Sequence, residues 1–297
     1  MEIYIKETEL DSYGKGIGYH CRKAKEVLQE ACHAFNSQYD WAREIANKTV
    51  NTIKSGNSHF SISHESGQIS SIDVTIEKNI NGALCSGNFY GLNPDNGTLK
   101  IKLSINPNEL RYYSEKQLEA ELFSVIAHEL MHGNIYFQEI NSPTVEKDIT
   151  NETPEYYSTL VEIMRNERIS SDKYWFARIL YLFFYQETQA IISQGYAEFE
   201  MELNTYNRKI RDFKTMESII RGLDSYSVFS EAITICDKIL EFDYMQKKFL
   251  DFLKRNNIKL SNKNPFRIVR NMKKKFSLAL KKLVANIYYH AIDSLKL

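Results

Sequence analysis

The sequence has few cysteines, prolines and glycines, and these shortages narrow the class of protein. Its 297 residues include four cysteines, five prolines and 12 glycines. The cysteines are scattered and form no Cys-x-x-Cys pair, so we expect reduced thiols rather than a disulfide framework. The sequence also contains no internal repeat and no low-complexity tract. A globular protein of one large or two modest domains is expected.

Long hydrophobic runs and a net charge are also absent. The longest apolar stretch, Ile179–Tyr185, is far shorter than the ~20 residues that cross a bilayer, and we interpret it as a buried helical segment. The first residues include acidic side chains and lack the apolar core of a signal peptide. Lys plus Arg and Asp plus Glu each number 38, so the formal charge is zero. These features predict a cytoplasmic protein without a membrane partner.

The balanced charge conceals an uneven distribution along the chain. Between Lys247 and Lys282 the basic residues are accompanied by a single acid, Asp251. Such a cluster could bind nucleic acid through phosphate contacts. The favoured interpretation is the solvated face of amphipathic helices, because no alternation of aromatic and basic residues accompanies the charge.

The most informative stretch is His128-Glu129-Leu130-Met131-His132. On an α-helix, residues four apart lie one above the other, so both imidazoles can reach one tetrahedral ion at about 2.0–2.1 Å. Glu129 is adjacent and can reach a water bound to that ion. Bound zinc lowers the pKa of water to about 7, and a carboxylate can then accept its proton. The motif predicts His128 and His132 as zinc ligands and Glu129 as general base. The competing interpretation is a surface helix with two solvated histidines.

The residues around this motif favour a helix that follows a small sheet. Ser114 and Gln117 form a capping box, and apolar residues follow at helical spacing. Upstream, residues 72–76 and 99–105 alternate between apolar and polar side chains, which predicts strands of an antiparallel meander. Residues 19–55 and almost the whole chain beyond Pro154 have helical patterns. His59 and His64 are interpreted as loop histidines.

This arrangement resembles the zincin superfamily of zinc metallopeptidases, over roughly residues 69–137. The resemblance implies an α+β fold, with a small mostly antiparallel sheet, the motif helix and a largely helical C-terminal lobe. It divides the chain into an α+β lobe (1–150) and a helical lobe (151–297). In that family the edge strand before the helix pairs with an extended peptide, a role that would fall to Thr98–Asn106.

The resemblance also implies a third zinc ligand beyond the two histidines. The metzincin branch is excluded, because the positions that would need glycine and histidine or aspartate hold Ile135 and Gln138. The gluzincin branch uses a glutamate on a later helix, and Glu187 is the first choice. Glu152 and Glu162 remain alternatives.

The expected function is zinc-dependent hydrolysis of a peptide or protein substrate, with Glu129 as base and then proton donor. Tyr196 and Tyr185 are suggested as oxyanion donors by their proximity to Glu187 in sequence. One rival is a non-catalytic zincin-like effector module. Another is a nucleic-acid-associated protease that uses the basic C-terminal region. Substrate specificity and oligomeric state have no sequence signal.

Overall fold

The computed structural model of this chain describes residues 39–63, 71–80, 84–93, 97–141, 154–205, 208, 210, 213–260 and 264–295. Within these ranges the side chains of 90–93, 136–141, 154–156, 185 and 289–295 are not described. The first part of the predicted helical region, residues 19–38, lies outside the described residues. His64 and Glu152 also lie outside them.

The described part is a mixed α+β structure, with a small sheet in the N-terminal half and helices throughout the C-terminal half. The first described helix, α1, covers residues 39–54. The remaining elements are β1 (His59–Ser63), β2 (Ser71–Lys78), β3 (Cys85–Asn93), β4 (Thr98–Ile105), α2 (Pro107–Leu110), α3 (Glu115–Asn141), α4 (Pro154–Asn166), α5 (Asp172–Leu182), α6 (Tyr185–Asn204), α7 (Phe213–Arg221), α8 (Asp224–Glu241), α9 (Asp243–Arg255) and α10 (Pro265–Leu295).

The four described strands form one sheet in the order β1-β2-β4-β3. The prediction of an antiparallel meander was wrong, because β2 and β4 pair in parallel while β1 with β2 and β3 with β4 pair antiparallel. The reason lies in the strand compositions. Strand β4 is buried along most of its length, as is common for a strand inside a sheet, whereas β3 is rich in polar residues and glycine, as is common at an edge. His59 begins β1 and is not a loop residue, although it is exposed.

The edge strand next to the motif helix is β3 and not the predicted Thr98–Asn106. Thr98–Ile105 forms the internal strand β4, and the strand at the edge beside it is Cys85–Asn93. The pairing of β3 with β4 shifts register between Phe89 and Gly91, which is a bulge or irregularity of the edge. Bulges are frequent at sheet edges and beside functional sites, where they redirect the backbone.

Helix α3 begins with the predicted capping box. The Ser114 backbone N–H donates to Gln117 Oε1 at 2.9 Å, and the Gln117 N–H donates to Ser114 Oγ at 3.3 Å. Two turns before its end, Gly133 lets the helix approach the sheet closely. A Cβ atom there would collide with Leu99 Cδ1 of β4, so a larger residue would require the Leu99 side chain or the helix to move.

Helix α3 packs between the sheet and the C-terminal helices, with contacts to β3 on one side and α6 on the other. One hydrophobic core contains residues of both halves of the chain, such as Leu122, Phe199 and Phe276. The division into lobes at residue 150 stays a prediction. Among the described helices, none is both long enough and apolar enough to cross a membrane.

Candidate metal centre

The two motif histidines lie on one face of α3, in the environment that a metal ligand needs. Their ring centroids are 4.9 Å apart, and their side chains are 18% (His128) and 13% (His132) exposed. Burial lowers the pKa of His128 to about 4, against the opposing effect of the nearby Glu187. Burial also lowers the pKa of His132, again opposed by Glu187. Both imidazoles are therefore neutral at neutral pH, which is the form that binds metal ions.

Helix α6 brings Glu187 to the two histidines. Glu187 Oε2 lies 3.8 Å from His128 Nε2, and Glu187 Oε1 lies 3.7 Å from His132 Nε2. Ligand atoms of these three residues all lie within 4.8 Å of one another. A tetrahedral ion with ligands at about 2.0–2.1 Å would place them about 3.3 Å apart, so completing the site would shorten the Glu187–histidine distances by about half an ångström and the widest separation by up to about 1.5 Å.

The burial of Glu187 supports this assignment. Its side chain is 3% exposed, and its Oε2 atom has no hydrogen-bond partner within the described structure. A buried carboxylate oxygen without a partner is costly unless something else satisfies it. Two neutral imidazoles and a carboxylate are a donor set that fits a metal ion. The His128, His132 and Glu187 side chains therefore form a group that could hold one.

Glu129 lies beside this group, in contact with the edge strand. Its side chain is buried, and burial together with the charge of Glu187 raises its pKa to about 8, while a hydrogen bond from the Phe89 backbone N–H has the opposite effect. Gly87 of β3 provides the space for this side chain. A Cβ atom at Gly87 would lie 2.5 Å from Glu129 Cγ and 2.8 Å from Val125 Cγ1. The edge strand thus determines both the room and the orientation that Glu129 has.

Two tyrosines cover the other side of Glu187. The Tyr157 hydroxyl of α4 donates to Glu187 Oε1 at 2.7 Å, and its oxygen lies 3.1 Å from the Tyr181 hydroxyl of α5. Burial and the charge of Glu187 raise the pKa of both phenols, so both remain protonated donors. Tyr157 is still 36% exposed, and it therefore connects the buried carboxylate with solvent.

A chain of hydrogen bonds leads from His128 into the protein along α6. His128 Nδ1 lies 3.1 Å from Gln194 Oε1, and Gln194 Nε2 donates to Glu198 Oε1 at 2.8 Å. The backbone N–H of Ser225, in the first turn of α8, donates to Glu198 Oε2 at 3.0 Å. Burial raises the pKa of Glu198 to about 7, and the Ser225 backbone N–H opposes this shift.

Of the other residues considered from the sequence, Glu162 and Tyr196 are described and do not belong to this group. Glu162 is exposed on α4 and lines a separate cleft that also contains Lys248. The Tyr196 hydroxyl donates to Glu200 Oε1 at 2.7 Å. Glu152 and the side chain of Tyr185 lie outside the described residues.

Several side chains of the basic C-terminal region have partners within the fold. Lys248 pairs with Asp172 at 2.6 Å, Lys273 pairs with Asp237, and Lys275 donates to the Phe183 carbonyl oxygen at 2.7 Å. Arg267 and Arg270 of α10 are exposed. Part of the basic cluster therefore contributes to helix packing, and nucleic-acid binding stays the less favoured alternative.

Five residues around the ligand group were not predicted from the sequence to contribute to it: Gly87, Tyr157, Tyr181, Gln194 and Glu198. The two α6 residues had a detectable signal, because Gln194 and Glu198 follow Glu187 by seven and 11 residues, about two and three helical turns. Polar residues repeated on one face of an otherwise apolar helix indicate a buried polar network. Tyr157 had no such signal, since nothing local relates it to a residue 30 positions later.

No protein-family model matches this chain, and comparisons with curated proteins and with solved structures found no match. The support for the metal centre is therefore the geometry of its own residues. What they define is a His-His-Glu group that could bind a metal ion, with a buried glutamate of raised pKa beside it.

Proposed function

We propose that this protein is a zinc-dependent metallopeptidase of gluzincin type, as the zincin resemblance implies. The observation that carries the proposal is the convergence of His128, His132 and Glu187 within 4.8 Å, beside the buried Glu129. Two histidines and one glutamate leave one position of a tetrahedral zinc ion for water, as catalytic zinc sites require. When bound, the ion would activate that water and polarise a carbonyl group of the substrate.

Glu129 acts as the proton carrier in this proposal. It accepts a proton from the attacking water and later donates it to the leaving amine. A pKa of about 8 is close enough to neutral pH for both the carboxylate and the protonated acid to be accessible. The hydrogen bond from the Phe89 N–H keeps the carboxyl group oriented between the two transfers.

Tyr157 is the proposed donor to the developing oxyanion, in place of Tyr196 and Tyr185. Its hydroxyl stays protonated and lies 2.7 Å from Glu187 Oε1, so the proton that it donates to this carboxylate could turn to an oxyanion that forms beside the ligand group. A fixed donor of this kind stabilises negative charge that appears on the carbonyl oxygen in the transition state. The partial exposure of Tyr157 leaves it accessible to a substrate.

Strand β3 is the proposed docking strand for an extended peptide. It is an edge of the described sheet, and the Phe89 N–H that contacts Glu129 belongs to it. A peptide that adds to a sheet edge gains main-chain hydrogen bonds without needing a particular sequence. Its scissile bond would then lie near Glu129, which explains why the bulge and Gly87 occur in this strand.

Replacing Glu129 by Gln tests the proposal. We expect hydrolysis of unstructured peptides, followed by mass spectrometry, to fall by at least about 10³-fold, because the proton carrier is lost. Zinc content measured by elemental analysis should stay near one per chain. Glu121→Gln is the matched control, since Glu121 is another carboxylate of α3 whose pKa burial raises.

Three outcomes contradict the proposal. If the wild-type protein binds no zinc, the proposed metal centre is wrong. If the Glu129→Gln variant still hydrolyses peptides, Glu129 is not the general base. Stoichiometric zinc without any hydrolysis by the wild type would favour the non-catalytic zincin-like module instead.

A further inference from the structure

We infer that Gln194 and Glu198 are positioning residues that fix which nitrogen of His128 faces the ligand group. This inference deepens the proposed function and rests on the same metal centre. The residues form one hydrogen-bonded chain, from the first turn of α8 through Glu198 and Gln194 to His128 Nδ1. Gln194 and Glu198 do not belong to the ligand group, so they act on it through His128.

The direction of each hydrogen bond follows from the Ser225 end of this hydrogen-bonded chain, where the donor is fixed. The Ser225 backbone N–H can only donate, and Glu198 accepts it at 3.0 Å. The carboxylate of Glu198 also accepts at its other oxygen, so the Gln194 amide must turn its NH₂ group towards Glu198. The Gln194 oxygen then faces His128 and requires a proton on Nδ1. The lone pair of His128 is thereby placed on Nε2, which faces Glu187.

The surroundings of these hydrogen bonds keep the Gln194 amide and the His128 proton in this orientation. Glu198 is 6% and Ser225 is 1% exposed, so water does not compete for their hydrogen bonds. The first N–H groups of α8 have no partner inside their own helix, and no side chain of the N-cap residue Leu223 satisfies them. Glu198 provides that partner. Beside Gln194, the Ser193 hydroxyl donates to the Ala127 carbonyl oxygen at 3.1 Å and ties α6 to α3.

The two histidines differ in this respect. Within the described structure, His132 has no comparable hydrogen bond at its second ring nitrogen, and its contact with Glu187 is its main polar interaction. Metal-binding histidines generally donate their other ring N–H to a fixed acceptor, and loss of that acceptor lowers metal affinity about 10–100-fold. Since the fixed acceptor here serves His128, affinity should depend strongly on Gln194 and Glu198.

An isosteric change at Glu198 gives the sharpest test. In Glu198→Gln the new amide must keep its oxygen towards the Ser225 N–H, which leaves its NH₂ group facing Gln194. Gln194 then turns its oxygen towards residue 198 and its NH₂ group towards His128. His128 would carry its proton on Nε2 and could no longer offer that atom to a metal. Gln194→Met removes both hydrogen bonds with little change in volume.

The experiment reads the tautomer and the metal affinity separately. At pH 8 and above, ¹⁵N NMR of the metal-free wild type should show His128 protonated on Nδ1, and Glu198→Gln should show the proton on Nε2. Competition with a chromogenic chelator should show zinc binding about 10–100-fold weaker in both variants. Tyr196→Phe is the matched control, because it removes a hydrogen bond of the same helix that does not reach His128. Its zinc affinity should equal that of the wild type.

Circular dichroism of the metal-free variants excludes misfolding as the cause. Unchanged tautomer and unchanged zinc affinity in a folded Glu198→Gln variant would overturn the inference. Because the tautomer is read without metal, the inference is tested even if the wild type binds no zinc. That last result would refute the proposed function alone.

Discussion

Helices α3 and α6 contribute the two halves of the candidate metal centre in opposite ways. On α3 the relevant groups, His128, Glu129 and His132, lie within five consecutive residues, and the histidines retain 18% and 13% exposure. On α6 they extend over three turns, from Glu187 to Glu198, and both of these residues are buried. The groups of α3 are therefore closer to solvent, and those of α6 lie deeper within the protein.

The two helices also differ in how their buried polar groups are satisfied. Buried polar groups need partners, and those of α6 find them on other helices: Tyr157 of α4 for Glu187, His128 of α3 for Gln194 and the α8 backbone for Glu198. On α3, Glu129 depends on the edge strand instead. Changes on α6 should therefore affect metal binding, whereas changes near the α3–β3 contact should affect proton transfer.

The largest expected effect follows from breaking the α6 contribution. Glu187→Gln replaces the third ligand by a neutral amide, which is a poor zinc ligand. We expect zinc affinity, measured by chelator competition, to fall by more than about 100-fold, beyond the range for residues that act through a ligand. Glu202→Gln, a more exposed change on the same helix, should leave the affinity unchanged. Wild-type affinity in Glu187→Gln would contradict the assignment and direct attention to Glu152.

A smaller effect is expected from disturbing the contact between β3 and α3. In Gly87→Ala the new Cβ atom would lie 2.5 Å from Glu129 Cγ, so the Glu129 side chain must move. Displacing a catalytic group by about 1 Å can cost about 100-fold in rate, and we expect kcat/KM to fall about 10–100-fold. Zinc affinity should stay near the wild-type value, because the ligands are not displaced. Ser86→Ala, at the exposed neighbouring position, is the control. Equal losses of zinc and activity would show that the two helices are not separable in this way.

The smallest effect concerns the pH dependence of stability through Glu198. Its pKa in the folded protein is about 7, above the usual value of a glutamate, so the folded state binds this proton more tightly than the unfolded state. The resulting stabilisation is complete below about pH 4 and is lost as the pH rises through about 7.

Urea denaturation of the metal-free protein can measure this loss. Between pH 4.5 and 8 the wild type should lose about 1–2 kcal/mol relative to Glu198→Gln, less than the ideal of about 1.4 kcal/mol per pKa unit because water enters a relaxing site. A constant difference across this range would show that Glu198 is ionised throughout in the folded protein.

Local features of α3 and of the sheet were predictable from the sequence, but the order of the strands was not. The capping box at Ser114 and the helical repeat around His128 were predicted correctly, because both depend on residues within one or two turns of each other. The alternation in residues 72–76 and 99–105 correctly identified two strands. Their parallel pairing was missed, since β3 has a polar, glycine-containing sequence with a weak strand signal and lies between them in the chain.

The third member of the ligand group shows the same limit. Sequence left Glu187, Glu152 and Glu162 as alternatives, because spacing along the chain does not determine which helix packs on α3. The structure brings Glu187 to the histidines and leaves Glu162 exposed on α4. Tyr157, Gln194 and Glu198 emerged only with the packing of α4, α6 and α8 around that group.

The sequence by itself determined the local geometry of this protein: a helix on which His128 and His132 share one face and Glu129 lies beside them. The helical period fixes that relation within five residues, whatever the rest of the chain does. The tertiary structure decided which glutamate meets the histidines, which strand forms the edge beside Glu129 and what orients His128. Those contacts join residues distant in sequence, and only the burial of whole helix and sheet faces brings them together.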